Sequence, residues 1–317
     1  MALDPTVRKL LDMAAASGRP VINSLPPPEA RQLMRETRPP VQGAFLDSVA
    51  SQDRRIPGPA GEIPVRLYRP KSAPSATRLP LLVYFHGGGW VIGDIETHHT
   101  MCQRICEAGE LVVLAVDYRL APEHRFPAAV DDCWTATVWA AANAASIGAD
   151  GSRIAVGGDS AGGNLAAVMA LMARDRGGAD IGFQLLLYPA VDALANTGSL
   201  ARNADGYLLT REAMVWFYDH YIPDVADRSD WRVSPLRARI FAGLPPAMIM
   251  TAGFDPLLDE GRAYADRLAH DGVTVEYVEY GSMIHAFLGM PGVLPQARRG
   301  LALAAQAVRE ALAAVAA

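Results

Sequence analysis

The chain has 317 residues, half of them hydrophobic and a fifth charged, with a formal net charge of −5. This is the balance of a globular α/β protein with ample core, sized for one large domain or two small ones. The acidic balance and the lack of a dense Lys/Arg stripe argue against a nucleic-acid-binding surface. Three cysteines, Cys102, Cys106 and Cys133, are too few for a disulfide framework and point to a reducing compartment.

In chain order, Asp4, Arg8 and Lys9 are followed by no apolar run, so the N-terminus does not read as a secretory signal and the expected location is the cytoplasm. Residues 4–38 show helical spacing, broken at Pro26-Pro27-Pro28 and closed by Pro39-Pro40. A hairpin is predicted from 49–56 and 63–68, joined by the turn Pro57-Gly58-Pro59-Ala60-Gly61. Short, nearly all-apolar runs follow at 81–85, 111–116, 154–156, 184–188 and 247–251, with a last run at 275–280. Runs apolar on both faces suit a buried parallel sheet. Helical stretches at 99–108, 128–145, 161–174 and 259–270 alternate with them, which predicts a doubly wound, mostly parallel sheet with right-handed crossovers. Cys102 and Cys106 share one of these helices, read as two small buried hydrophobes and not a metal or redox pair. The final stretch, 301–317, reads as an amphipathic surface helix too short to span a bilayer, so no membrane partner is expected.

One connection breaks the rhythm. Nearly sixty residues separate the runs ending at Tyr188 and starting at Ala247, far more than a crossover needs. They hold an aromatic-rich helical stretch at 208–221. An insertion at the carboxyl edge of a sheet reads as a lid, and the N-terminal helices are its natural second half. The expectation is one domain, 1–317, with a cap from about 1–45 and about 191–240.

Ser160 lies in Gly158-Asp159-Ser160-Ala161-Gly162, between an apolar run and a helix-like stretch. A serine on a sharp strand-to-helix turn exposes its hydroxyl at the edge of the sheet. The helix then aims its N-terminal N–H groups at the same spot. Serine needs a base, and the base needs an acid to orient it. Asp255, four residues past Thr251 where a strand leaves the sheet, fits the acid; its rivals Asp259 and Glu260 begin the next helix and read as caps. His285 fits the base, in the loop after the last strand. His86, His98, His99, His124, His220 and His270 fall at turns, helix ends or in the insert.

The run 81–85 leads straight into His86-Gly87-Gly88-Gly89-Trp90. Glycines at a strand end let backbone N–H groups turn into a cavity. Gly87, Gly88 and Gly89, with Ala161 after the nucleophile, are therefore the candidate oxyanion donors. Trp90, Tyr207, Leu208, Trp216, Phe217 and Phe287 are candidate acyl-pocket residues, on the strength of bulk and position; the alternative for all six is packing. No His, Asp or Glu cluster has metal-ligand spacing, and no organic cofactor is expected.

These motifs, with Asp117-Tyr118-Arg119-Leu120-Ala121-Pro122-Glu123, Phe126-Pro127-Ala128, Val233-Ser234-Pro235-Leu236, Asp255-Pro256-Leu257 and His285-Ala286-Phe287, give a resemblance running from near residue 81 to 290. The chain resembles the bacterial and archaeal hormone-sensitive-lipase-like carboxylesterases whose nucleophile motif is Gly-Asp-Ser-Ala-Gly. The resemblance implies an α/β-hydrolase fold with a helical cap, a triad of Ser160, Asp255 and His285, and oxyanion donors Gly88, Gly89 and Ala161. It also implies a small acyl ester as substrate. Leu258 departs from the arginine often found there in the family. A homodimer is compatible with all of this. Amide, carbamate or lactone hydrolysis would use the same machinery. A non-catalytic binding module, as in the related gibberellin receptor, would lack the histidine that is present here.

Overall fold

A computed structural model describes residues 2–313. Its centre is one eight-stranded sheet in the order β1-β2-β4-β3-β5-β6-β7-β8. The strands are β1 (Val49–Gly58), β2 (Gly61–Pro70), β3 (Leu79–Phe85), β4 (Val112–Val116), β5 (Ala149–Asp159), β6 (Ile181–Leu187), β7 (Ala247–Phe254) and β8 (Val275–Ile284). β2 runs antiparallel to both of its neighbours, and every pairing from β4 to β8 is parallel. The hairpin turns on Pro59 and Ala60, closed by Gly61 at φ +126°, a value that residues with a side chain rarely adopt.

Parallel neighbours need crossovers, and helices supply them: α4 (His99–Gly109), α5 (Ala128–Asn143), α6 (Ala161–Arg176) and α9 (Leu258–His270), with α10 (Pro295–Ala313) closing the chain. Side chains alternate across each strand, so every central strand feeds two cores. In β3, Leu81, Val83 and Phe85 pack with Val130 of α5 and Leu165 of α6, while Leu82 and Tyr84 pack with Ile105 of α4 and Leu301 of α10. Burial on both faces is why the runs read as continuously apolar. The last helix begins at Pro295, ahead of the expected 301; residues 314–317 of that expectation lie outside the described residues. Among the described residues no helix is long and apolar enough to cross a membrane.

Two regions stand outside the sheet. At the N-terminus are α1 (Pro5–Ala16), capped by Asp4 on the Thr6 N–H at 2.7 Å, α2 (Pro27–Thr37) and α3 (Pro39–Gln42). Between β6 and β7 the insert forms α7 (Gly198–Arg202), α8 (Arg211–Tyr221) and the 3₁₀ turns Val225–Ser229 and Pro235–Arg237. The helix expected at 208–221 starts three residues later because Thr210 caps it, its hydroxyl accepting the Ala213 N–H at 3.1 Å. One buried side chain ties both roots of the insert: the Asn164 amide on α6 donates to the carbonyls of Ala190 and Val233, each at 2.7 Å.

Candidate active site

β5 ends at Asp159 and α6 begins at Ala161, so Ser160 is the whole turn, held at φ +57° and ψ −118°. A non-glycine residue rarely occupies that region, and the flanking glycines explain how it is kept there. A Cβ on Gly158 would collide with the backbone of Gly162 and with the Phe85 carbonyl, and one on Gly162 would strike the same carbonyl. The Ser160 N–H is fixed on the Leu187 carbonyl at 2.8 Å, which leaves its side chain as the exposed part of the turn.

β8 delivers His285. Its Nε2 lies 2.9 Å from the Ser160 Oγ, and its Nδ1 lies 2.7 Å from the Asp255 Oδ2. The carboxylate at Nδ1 fixes the proton there, which leaves Nε2 to accept from the serine hydroxyl. Asp255 is wholly buried at the end of β7. Its second oxygen accepts the Leu257 N–H at 2.9 Å, and the Asn203 amide donates to its main-chain carbonyl at 3.0 Å. Tyr188 packs edge-on against the His285 ring, with centroids 4.9 Å apart.

The rivals of Asp255 are occupied elsewhere, and not as caps. Leu257 holds the N-cap position of α9, without a side-chain cap bond. Asp259 accepts the Ser199 N–H at 2.7 Å, and Ser199 in turn donates its hydroxyl to the Pro256 carbonyl at 2.8 Å. Glu260 is buried, and its carboxylate accepts the Val191 N–H at 2.7 Å and the Asp192 N–H at 3.3 Å. Burial pushes its carboxyl up to about 8, with neighbouring Asp192 and Asp255 adding to the rise and the two N–H groups opposing it.

The glycine loop leaves β3 with Gly88 at φ +124° and Gly89 at φ +58°. The N–H groups of Gly88, Gly89 and Ala161 have no protein acceptor among the described residues. Gly87 differs, which corrects the expectation for it: its N–H is consumed by the Asp159 Oδ1 at 3.0 Å. It is a tether for the loop and not an oxyanion donor. Asp159 also accepts from the Tyr84 hydroxyl at 2.7 Å and stands 3.4 Å from the His98 Nε2. Burial alone would raise the Asp159 carboxyl, but His98 and the Tyr84 hydroxyl hold it down at about 2. His86 stacks on Tyr118 with centroids 4.3 Å apart, and its Nδ1 lies 2.9 Å from the Gly87 carbonyl. Burial lowers this imidazole to about 4, so it is neutral at physiological pH, as a turn-stabilising residue should be. Sequence reasoning passed over Asp159 and His98 as network partners; the one available signal was that the residue before the nucleophile is an acid.

The six candidate pocket residues separate. Phe217 of α8 lies directly over Gly89, where an added Cβ would enter its ring, and Trp216 packs edge-on against Phe217. Tyr207 lies against Phe254, and Leu208 is half exposed. Trp90 and Phe287 are corrected: both are core. Trp90 is 2% exposed and stacks flat on Tyr221, while Phe287 is 0% exposed between Tyr188 and Tyr280. Rings covered this fully by other rings pack the core and do not line a ligand pocket. Among the described residues no three His, Cys, Asp or Glu side chains are grouped to hold a metal.

Comparison with known proteins agrees with this geometry. A family model described as the alpha/beta hydrolase fold matches residues 82–289. The chain is 50% identical to the carboxylic ester hydrolase LipN of Mycobacterium tuberculosis over 244 residues, which is 75% of this chain and 64% of that protein, just under two thirds of its length. It is 42% identical to the esterase LipI of the same organism over 93% of this chain and 91% of that one. Among solved structures, a thermostable esterase from Pseudomonas putida superposes with a TM-score of 0.94 at 36% identity, covering 98% of both chains.

Proposed function

The chain belongs to the alpha/beta hydrolase fold family, in its hormone-sensitive-lipase-like esterase branch, and from that premise we propose that Ser160, His285 and Asp255 form the catalytic triad of a carboxylesterase acting on short- to medium-chain acyl esters. The observation that carries the assignment is the unbroken hydrogen-bonded line from Ser160 Oγ through His285 to Asp255, beside three unclaimed N–H donors.

His285 takes the Ser160 proton as the hydroxyl oxygen attacks the ester carbonyl. The developing oxyanion is received by the N–H groups of Gly88, Gly89 and Ala161, each such donor being worth about 3–4 kcal/mol of barrier. His285 then protonates the departing alcohol and activates water against the acyl-enzyme, while Asp255 holds the imidazole and stabilises its charged form. The N-terminal helices and the insert act as a cap in this reading, supported by Phe217 over Gly89 and by Arg31 of α2, whose Nε donates to the Val91 carbonyl at 2.7 Å. An acyl pocket bounded by Trp216 and Phe217 favours chains of roughly four to eight carbons, since each methylene that fits adds about 0.8 kcal/mol until the space is full. The three cysteines are unpaired and buried, which suits the cytoplasm.

A fluorophosphonate probe tests the nucleophile. It should label one residue, and Ser160→Ala should abolish both labelling and turnover of p-nitrophenyl butyrate, since the change removes no core volume. Labelling that survives in the variant sinks the assignment.

A further inference from the structure

A cavity of about 300 Å³ lies between the end of α2, α3 and the segment before α4, its wall ending at Thr97, the residue before the His98 that faces Asp159. Its walls are apolar at Pro39, Ala44 and the ring of Phe45, and polar at Arg35, Arg38 and Glu96. Most of the polar groups are spoken for. Arg35 pairs with Asp94 at 2.5 Å, and Glu96, the one carboxylate on the wall, pairs with Arg66 at 2.7 Å. The buried Gln42 amide donates to the Thr97 carbonyl at 2.6 Å. Arg38 is the exception: among the described residues the guanidinium of this half-buried residue has no hydrogen-bond or ion-pair partner.

Arg38 also leans toward the chemistry. Its Nη1 lies 2.5 Å from where a Cβ on Gly289 would be, so it rests on the backbone of the turn Phe287–Gly289 that follows His285. After His98 and Tyr84, its charge is among those that keep Asp159, the neighbour of Ser160, ionised. A planar guanidinium with its donors unused and next to a space of this size is complementary to a carboxylate that can take two parallel N–H bonds. We propose that Arg38 and this cavity form a subsite for an anionic carboxylate on the substrate, so that the enzyme accepts esters carrying a second, free acid group. This rests on the esterase reading and sharpens it.

The test compares each monoanionic ester with its neutral isostere. Monomethyl glutarate against methyl glutaramate places the charge on the acyl side, and 4-acetoxybutanoate against 4-acetoxybutanamide places it on the alcohol side. In at least one pair, Arg38→Gln should lower the charged-to-neutral ratio of kcat/KM by about tenfold or more, mainly through KM, with Arg38→Lys in between. A ratio that stays within about twofold of the wild type in both pairs overturns the subsite. A second arm needs no turnover: millimolar glutarate should raise the thermal midpoint of the wild type, and not of Arg38→Gln, beyond an equal ionic strength of chloride. A wild-type midpoint that glutarate leaves unmoved also overturns it. Loss of all ester hydrolysis would sink the esterase reading instead, and the binding arm would still decide the fate of the anion site.

Discussion

The two flanks of the proposed cap are fastened to the body by different chemistry. The N-terminal flank reaches across with charged side chains: Arg31 makes a two-pronged pair with the half-exposed Glu123 at 2.9 and 2.6 Å, and the exposed Arg35 pairs with the buried Asp94, beside one neutral bond from Gln42 to the Thr97 carbonyl. The insert is held by buried, uncharged donors. Asn164 closes its two roots, Asn203 donates to the main chain at Asp255, and Ser199 donates to Pro256. Exposed ion pairs exchange water for a partner at little net gain, whereas a buried carbonyl that loses its donor bears its full desolvation cost. The flank that shares hydrogen bonds with the acid loop is therefore fixed with it, whereas the ion pairs of the other flank are cheap to break.

The largest effect should come from Asn164→Ala. It leaves the carbonyls of Ala190 and Val233 without a donor in a site that is 0% exposed. At about 1–3 kcal/mol for each of the two orphaned groups, the loss should be about 2–6 kcal/mol in urea unfolding. A loss below about 1 kcal/mol would mean that the roots are held mainly by packing, and the contrast between the flanks would fail.

Glu260, which binds the first root through the Val191 and Asp192 N–H groups, gives that flank a pH dependence. Its carboxyl is raised to about 8 in the fold and stands near 4.3 in an unfolded chain. Between those values the folded state holds a proton that the unfolded state has released, so its contribution is full in acid and drains away as pH rises from about 4.5 to about 8. Glu260→Gln keeps an oxygen for the two N–H groups and has no such titration. Stability of the wild type relative to this variant should fall across that window and level off above it. Parallel curves would show that Glu260 ionises normally.

What the sequence disclosed follows the same divide. The sheet was legible because each central strand, such as 81–85, is covered on both faces and leaves an unbroken apolar run. The triad stood out because its members lie just past the ends of strands, in the order serine, acid, histidine. The fastening did not, since Asn164, Asn203 and Ser199 are ordinary polar residues until the chain folds around them. Asp259 and Glu260 looked like caps because helix starts usually need acids, but here the insert supplied N–H groups that a local reading cannot see. Trp90 and Phe287 looked like pocket walls by size and position alone; whether a ring faces ligand or core depends on which partners lie beneath it, here Tyr221 and Tyr188.

The smallest effect isolates the N-terminal flank. Glu123→Gln removes only the charge partner of Arg31, whose remaining bonds to the Val91 and Ala121 carbonyls are untouched. Arg31 holds the Glu123 carboxyl below its usual range, but the Glu123 side chain is half exposed and the pair is screened. The expected cost is below about 1 kcal/mol at low salt and smaller still at about 1 M, where the Debye length shrinks to about 3 Å. Asn164→Ala should lose as much stability at high salt as at low, because no charge is involved. If instead Glu123→Gln costs as much as Asn164→Ala and is indifferent to salt, the N-terminal flank is locked as firmly as the insert, and the two are not fastened differently after all.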